Sequence, residues 1–252
     1  MSKPSVTLSL LAGALLIVSL VMAGCGVIQR KALFFPTHEA RDNGLAHWTD
    51  GGVALGFARE VPDPQNVWLL LHGNGGQAAD RAYALPAFSE RDSVYIMEYP
   101  GYGMRPGKPS RRAFDEAARQ AYAALRARFT RTPVCVAAES IGSGPASMLS
   151  REAQPPDHIV LIVPFDDLKS VARDHVSVPV GMLLAGTWDN GAALTGYDGP
   201  LEIFGAERDE VIPVRHAQAL AARVPQARFH LIHGGHNEWS LNAKVKIRNE
   251  RG

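Results

Sequence analysis

Short, mainly apolar runs alternate along the chain with longer amphipathic segments. The runs are typical of strands buried on both faces, and the sequence predicts strands at 66–71, 93–99, 132–137, 158–163, 201–204 and 227–232. Helices are predicted between them, at about 78–90, 111–129 and 214–224. This alternation predicts an α/β fold with a mostly parallel central sheet that is covered by helices on both faces.

Three other stretches have different patterns. Residues 44–60 alternate apolar and polar positions around Asp50-Gly51-Gly52, which predicts a hairpin of two antiparallel edge strands. Glycine and proline are frequent from 100 to 110, so we expect a loop shaped by backbone chemistry rather than by side-chain packing. Residues 176–199 are weakly patterned and give no assignment, and any lid inserted there is small.

The N-terminus has the pattern of a secretory signal. Lys3 precedes an apolar run from 6 to 23 that ends in Met22-Ala23-Gly24-Cys25. This ending resembles the bacterial lipobox, which implies removal of residues 1–24 and lipidation of Cys25. An uncleaved anchor of about 18 apolar residues is the alternative. We therefore predict a signal at 1–24, a lipid-anchored linker at 25–42 and a folded α/β domain at 43–252. The expected location is the bacterial cell envelope, with the domain facing the periplasm or the exterior.

Composition limits the classes of partner. A chain of 252 residues that is 46% hydrophobic suits one α/β domain with a substantial core. Because 26 basic residues balance 25 acidic ones, we expect no nucleic-acid partner, and the basic positions 244, 246 and 248 are interpreted as a solvated tail. The two cysteines are Cys25 and Cys135, so no disulfide framework is expected, and Cys135 is predicted to be a buried, inert thiol. We expect the protein to be a monomer.

The segment 134–144 predicts a strand, a sharp turn and a helix, with Ser140 at the apex of the turn. A turn this tight needs small residues on either side of the serine, and Ala138 and Gly142 satisfy that requirement. The arrangement is that of a nucleophile elbow, in which alanine replaces the usual first glycine at the cost of one methyl group. An ordinary strand-to-helix turn with a capping serine is the alternative.

Polar residues follow three other predicted strands. His72-Gly73-Asn74-Gly75-Gly76 ends the first of them, and its backbone could offer the Asn74 N–H to an oxyanion. A phosphate-binding loop is disfavoured, because neither Gly-Lys-Ser/Thr nor Gly-x-Gly-x-x-Gly is present. Later strands are followed by an acidic cluster and by two histidines, which are Glu207, Asp209, Glu210, His233 and His236. In a parallel sheet these ends share one edge with the elbow.

Hydrolysis by a serine requires a base, a carboxylate that orients the base, and donors for the oxyanion. The chain offers these groups in the order Ser140, Asp209, His236, which is the order of the α/β hydrolases. We assign His236 as the general base and Asp209 as its orienting carboxylate, with the N–H groups of Asn74 and Ile141 as the oxyanion hole. His233 and His236 could form a metal-binding H-x-x-H pair, but no further ligands are visible, so no metal is predicted.

Four motifs carry a family resemblance: His72-Gly-Asn-Gly, Tyr99-Pro-Gly-Tyr-Gly, Gly205-x-x-x-Asp209-x-x-x-Pro213 and Gly-Gly-His236-Asn. With the elbow, they resemble the serine α/β hydrolases, and in particular the small, nearly lidless bud-emergence-type branch. That branch is membrane-associated and often labelled serine-aminopeptidase-like or depalmitoylase-like. The resemblance covers 33 to about 240 and favours Asp209 over its acidic neighbours. Departures are the alanine of the elbow and the 16 residues after His236, fewer than the usual closing helix needs.

Together these observations predict a membrane-anchored serine hydrolase with a minimal lid. It would cleave ester, thioester or amide bonds through an acyl-enzyme and without a cofactor, and carboxylesterase or thioesterase chemistry is favoured over peptidase chemistry. The expected partners are an acyl substrate and, through the lipid anchor, a membrane. The alternative is a membrane-tethered binding protein that keeps the fold without turnover.

Overall fold

The computed structural model describes residues 33–175 and 187–249. The predicted signal at 1–24, the predicted lipidation site Cys25 and positions 176–186 of the unassigned stretch lie outside the described residues.

The described residues form a central eight-stranded sheet in the order β10-β9-β8-β7-β4-β6-β3-β2. Its strands are β2 (Ala46–Asp50), β3 (Val53–Arg59), β4 (Val67–Leu71), β6 (Ser93–Met97), β7 (Val134–Glu139), β8 (Ile159–Ile162), β9 (Leu201–Ala206) and β10 (Ala227–Ile232). Only β3 runs antiparallel to both of its neighbours in this sheet, and the other pairs are parallel. The mostly parallel sheet is therefore confirmed.

Helices connect the parallel strands, as predicted. The α-helices of the described chain are α1 (Arg111–Arg128), α2 (Ser143–Leu149), α3 (Leu168–His175), α4 (Asn190–Leu194) and α5 (Arg215–Arg223). Ser110 caps α1, because its Oγ accepts the Ala113 N–H at 3.1 Å. The segment predicted as helical at 78–90 is a 3₁₀ helix, Ala78–Ala87, whose Pro86 has no N–H to donate. Shorter 3₁₀ turns cover Ser140–Gly142 and Trp239–Leu241.

Three predictions need correction. The hairpin is confirmed, but only β2 lies at the edge, because β3 also pairs with β6. Strand β7 begins and ends two residues later than predicted. The C-terminal segment is not simply a solvated tail, since buried Val245 and Ile247 alternate with exposed Lys244 and Lys246.

The core lies on both faces of the sheet, because successive residues of a strand point to opposite faces. In β4, Leu69 and Leu71 belong to one apolar cluster, while Trp68 and Leu70 belong to the other. Cys135 is a free, buried cysteine, as predicted, and its burial raises the pKa of its thiol. In 33–175 and 187–249, no helix has both the length and the apolar character needed to cross a bilayer.

Candidate active site

The turn after β7 is tightly constrained. Ser140 has a φ of 54°, in the left-handed region that L-residues rarely adopt. A Cβ on Gly142 would lie 2.3 Å from the carbonyl oxygen of Leu71, and one on Gly144 would lie 2.5 Å from the Trp188 ring. Gly142 thus lets the turn approach the end of β4 closely and Gly144 lets α2 pack on the Trp188 ring, which together hold the serine at the carboxyl edge of the sheet.

Three side chains that lie far apart in sequence form one chain of hydrogen bonds. His236 Nε2 is 2.9 Å from Ser140 Oγ, and His236 Nδ1 is 2.7 Å from Asp209 Oδ2. The other carboxylate oxygen, Oδ1, accepts the N–H groups of Val211 and Ile212 at 2.9 and 2.7 Å. An ionised carboxylate only accepts, so Nδ1 carries the imidazole proton and Nε2 is free to accept from the serine hydroxyl.

The other histidine and acidic side chains near these positions have different partners or positions. His233 is 80% exposed and pairs with Glu207 at 2.7 Å. Glu210 lines the cavity in front of Ser140, but Asp209 is the residue that contacts His236. Within the described part of the chain, no group of three or more His, Cys, Asp or Glu side chains is placed to hold a metal ion.

The loop after β4 is held by two buried tyrosines. The Tyr99 hydroxyl donates to the His72 carbonyl at 2.9 Å. The Tyr102 hydroxyl donates to the Asn74 carbonyl at 2.9 Å and lies 3.1 Å from its Oδ1. Tyr102 is fully buried against the rings of His72 and Tyr99. Side-chain packing therefore shapes the start of the loop at 100–110, contrary to the prediction, and the two tyrosines of the Tyr-Pro-Gly-Tyr motif were the signal for it.

The N-terminal segment also contacts this loop. The two-residue strands β1 (Phe35–Pro36) and β5 (Gly75–Gly76) pair in parallel. The Thr37 N–H then donates to the Gly76 carbonyl at 3.0 Å, and Phe34 packs in the core. Part of the segment predicted as a linker, 25–42, therefore packs on the domain.

A cavity of about 700 Å³ opens in front of Ser140, and Asn74, Ile141 and His236 also line it. Much of its wall is apolar and comes from Leu33, Phe35, Phe165, Leu168, Val171 and Ile212. Sequence reasoning missed these residues, and it also missed Arg81 and Glu139, which line the same cavity.

One wall of the cavity, helix α3, is joined to α5 by a buried histidine. His216 Nδ1 lies 2.7 Å from Asp166 Oδ1, and His216 Nε2 lies 2.5 Å from Asp174 Oδ2 on α3. The hydrogen bond to Asp166 raises the pKa of His216, burial opposes that rise, and the bond to Asp174 adds to it. The pKa of Asp174 is lowered first by its hydrogen bond to Arg215 and next by that to His216. Burial raises the pKa of Asp166, but its hydrogen bonds to His216 and to backbone N–H groups lower it by more.

Comparison with solved structures fixes the architecture. An alpha-beta hydrolase from Vibrio vulnificus superposes with a TM-score of 0.61 at 19% identity, over 72% of this chain and 70% of that one. The chain has the α/β-hydrolase fold. Within this fold, Ser140, Asp209 and His236 follow β7, β9 and β10, at the carboxyl ends of parallel strands.

Sequence comparison finds distant relatives. No family model matches the chain. It is 29% identical over 249 residues to Rv2307c, an uncharacterised protein of Mycobacterium tuberculosis, covering 89% of this chain and 88% of that protein. It is 27% identical over 193 residues to the lysophosphatidylserine lipase ABHD12 of Danio rerio, covering 68% of this chain. The match spans half the length of that lipase.

Proposed function

We propose that this protein is a serine hydrolase that cleaves acyl esters through an acyl-enzyme. The observation that carries the proposal is the buried hydrogen-bond chain from Ser140 through His236 to Asp209, which opens onto a largely apolar cavity. A serine in a strained turn with an imidazole at 2.9 Å has no evident structural purpose, whereas this geometry suits a nucleophile and its base.

In the proposed reaction, Ser140 Oγ attacks the substrate carbonyl while His236 Nε2 takes its proton. Asp209 holds the Nδ1–H tautomer and stabilises the imidazolium that forms. The N–H groups of Asn74 and Ile141 are proposed to bind the developing oxyanion. His236 then gives its proton to the leaving oxygen, and a water activated by the same imidazole releases the acyl group from Ser140.

The apolar wall favours a substrate with a hydrocarbon acyl chain. A cavity of about 700 Å³ lies within the range of small-molecule sites and could enclose a large part of such a chain. A relative is named as a lysophosphatidylserine lipase, and this supports an acyl ester of lipid type over a thioester or an amide. We propose carboxylesterase or lipase chemistry, with thioesterase activity as the second choice.

We further propose that the protein is lipid-anchored through Cys25 in the bacterial cell envelope, because Met22-Ala23-Gly24-Cys25 resembles a lipobox. Leu33 lines the cavity and follows Cys25 by eight residues. Eight extended residues span at most about 29 Å, so an anchored enzyme would keep the cavity close to the bilayer. Metabolic labelling with alkyne-palmitate in a bacterial host tests this proposal. Label should attach to the wild type and not to Cys25→Ala, and an unlabelled wild type would refute lipidation.

The catalytic proposal is tested by labelling with a fluorophosphonate probe. The wild type should react and Ser140→Ala should not. The control is Ser147→Ala, the same change at a buried serine of the following helix α2, and it should react normally. A folded wild type that neither reacts with the probe nor hydrolyses acyl esters would refute the proposed hydrolase function. That result would favour a membrane-tethered binding protein with the same fold.

A further inference from the structure

A basic and an acidic side chain share the wall of the active-site cavity without forming an ion pair. Arg81 and Glu139 both line the cavity, and Glu139 directly precedes the nucleophile. The Tyr83 hydroxyl stands between them: it accepts from Arg81 Nη1 at 3.2 Å and donates to Glu139 Oε2 at 3.0 Å. The tyrosine therefore holds the guanidinium apart from the carboxylate.

The guanidinium has capacity for a ligand. Its Nη2 donates to the carbonyl of Gly75, the residue after Asn74, so it stands beside the proposed oxyanion loop. Each terminal nitrogen carries two N–H groups, and the structure pairs one on Nη1 and one on Nη2 within the described residues. Burial lowers the pKa of Arg81, but Glu139 and Tyr83 raise it by more, so the side chain stays a cation.

The exposure of the Arg81 and Glu139 side chains determines which of these two charged groups a substrate can contact. Glu139 is 4% exposed and already accepts the tyrosine hydroxyl. Arg81 is only partly buried. Two histidines also line the cavity among the described residues: His236 is engaged with Ser140 and Asp209, and His175 uses its Nε2 on the Val211 carbonyl at 2.9 Å. Arg81 is thus the cationic group that an incoming molecule can contact.

We propose that Arg81 binds an anionic oxygen group of the substrate, either a carboxylate or a phosphate. The inference rests on the proposed serine-hydrolase function and narrows its substrate class to acyl esters that carry a negative charge. A guanidinium that has a further N–H on each terminal nitrogen, beyond those paired within the described residues, suits such a group, because planar N–H pairs match the spacing of carboxylate and phosphate oxygens. Arg81 then determines specificity, while Ser140 and His236 carry out the chemistry.

The test compares esters with one oleoyl chain and different charges. Monooleoylglycerol is the neutral substrate, oleoyl lysophosphatidylglycerol supplies a phosphate, and monooleoylglycerol hemisuccinate supplies a carboxylate. For each enzyme, kcat/KM on each anionic ester is divided by its own kcat/KM on the neutral ester. In Arg81→Gln this ratio should fall about 10- to 100-fold, mainly through KM, for whichever anion the site binds. Arg81→Lys keeps the positive charge but lacks the planar pair of N–H groups, so its ratio should lie between those of the wild type and Arg81→Gln.

The matched control is Arg173→Gln, which removes an exposed positive charge from α3 outside the cavity. Its ratios should stay within about twofold of the wild type. Fluorophosphonate labelling of Ser140 in each variant verifies that the site is folded. A wild type that favours the neutral ester, or an Arg81→Gln enzyme that loses both ester classes equally, would overturn the inference while the hydrolase proposal stands. Absence of labelling and of all hydrolysis in the wild type would instead overturn the hydrolase proposal.

Discussion

Asp209→Asn is the substitution for which the structure predicts the sharpest effect. Oδ1 of Asp209 accepts two backbone N–H groups, from Val211 and Ile212, at 2.9 and 2.7 Å. These donors will hold the amide oxygen of asparagine in the same place. The amide NH₂ must then occupy the position of Oδ2 and face His236 Nδ1. Since an NH₂ group only donates, Nδ1 has to become the acceptor and the imidazole proton moves to Nε2.

That change of tautomer removes the proposed general base. With its proton on Nε2, His236 cannot accept from Ser140 Oγ, although the distances in the site are kept. A base held in the wrong tautomer costs about 10⁴-fold in kcat, which corresponds to about 5.4 kcal/mol of transition-state stabilisation. KM should change little, because Asp209 does not line the cavity. Asp209→Ala is a less clean variant, since it would also leave two N–H groups unpaired at about 1–3 kcal/mol each.

The assay is steady-state hydrolysis of a chromogenic acyl ester, together with the rate of fluorophosphonate labelling. Glu207→Gln is the control, because Glu207 pairs with the exposed His233 and its loss should change kcat by less than about twofold. If Asp209→Asn keeps more than a tenth of the wild-type kcat, this carboxylate does not set the tautomer and the reasoning is wrong.

Two further predictions concern the elbow and the histidine bridge. Gly142→Ala should lower the unfolding free energy by about 1–3 kcal/mol or more and slow labelling at least tenfold, because the new methyl would meet the rigid backbone of Leu71. Thermal melts and labelling rates check this prediction, and an unchanged melting temperature would contradict it. For His216 the pKa is raised in the fold, so its stabilising contribution is complete below about pH 6.5 and is lost as the pH rises through the folded value. The melting-temperature difference between wild type and His216→Asn should therefore shrink as the pH rises above about 6.5, and a constant difference would argue against the bridge to Asp166.

The sequence was sufficient for the main architecture. A strand buried on both faces, such as β4, has to be apolar throughout, so its pattern is visible without knowledge of its neighbours. The parallel order then brings residues after β7, β9 and β10 to one edge, and the structure brings Ser140, Asp209 and His236 together there. Their catalytic roles stay a proposal that the labelling experiment tests.

The wall of the cavity could not be predicted in the same way. Leu33 and Phe35 reach it through a pairing of two-residue strands, which is too short to give any periodic pattern. Arg81 reaches it from a 3₁₀ helix whose packing depends on the whole fold. Tyr102 is fully buried in a stretch rich in glycine and proline, where the composition indicates a loop and the tyrosine itself is the one sign of side-chain packing.

The pairing of β1 with β5 has a practical consequence for protein production. An expression plasmid that starts at residue 43, the predicted domain boundary, would omit Leu33, Phe34 and Phe35. The purified protein would then lack part of the cavity wall and the strand that pairs with Gly75 and Gly76. Low activity of such a shortened protein would result from the loss of residues 33–42. Activity should therefore be measured on a protein that includes the chain from at least Leu33 onward.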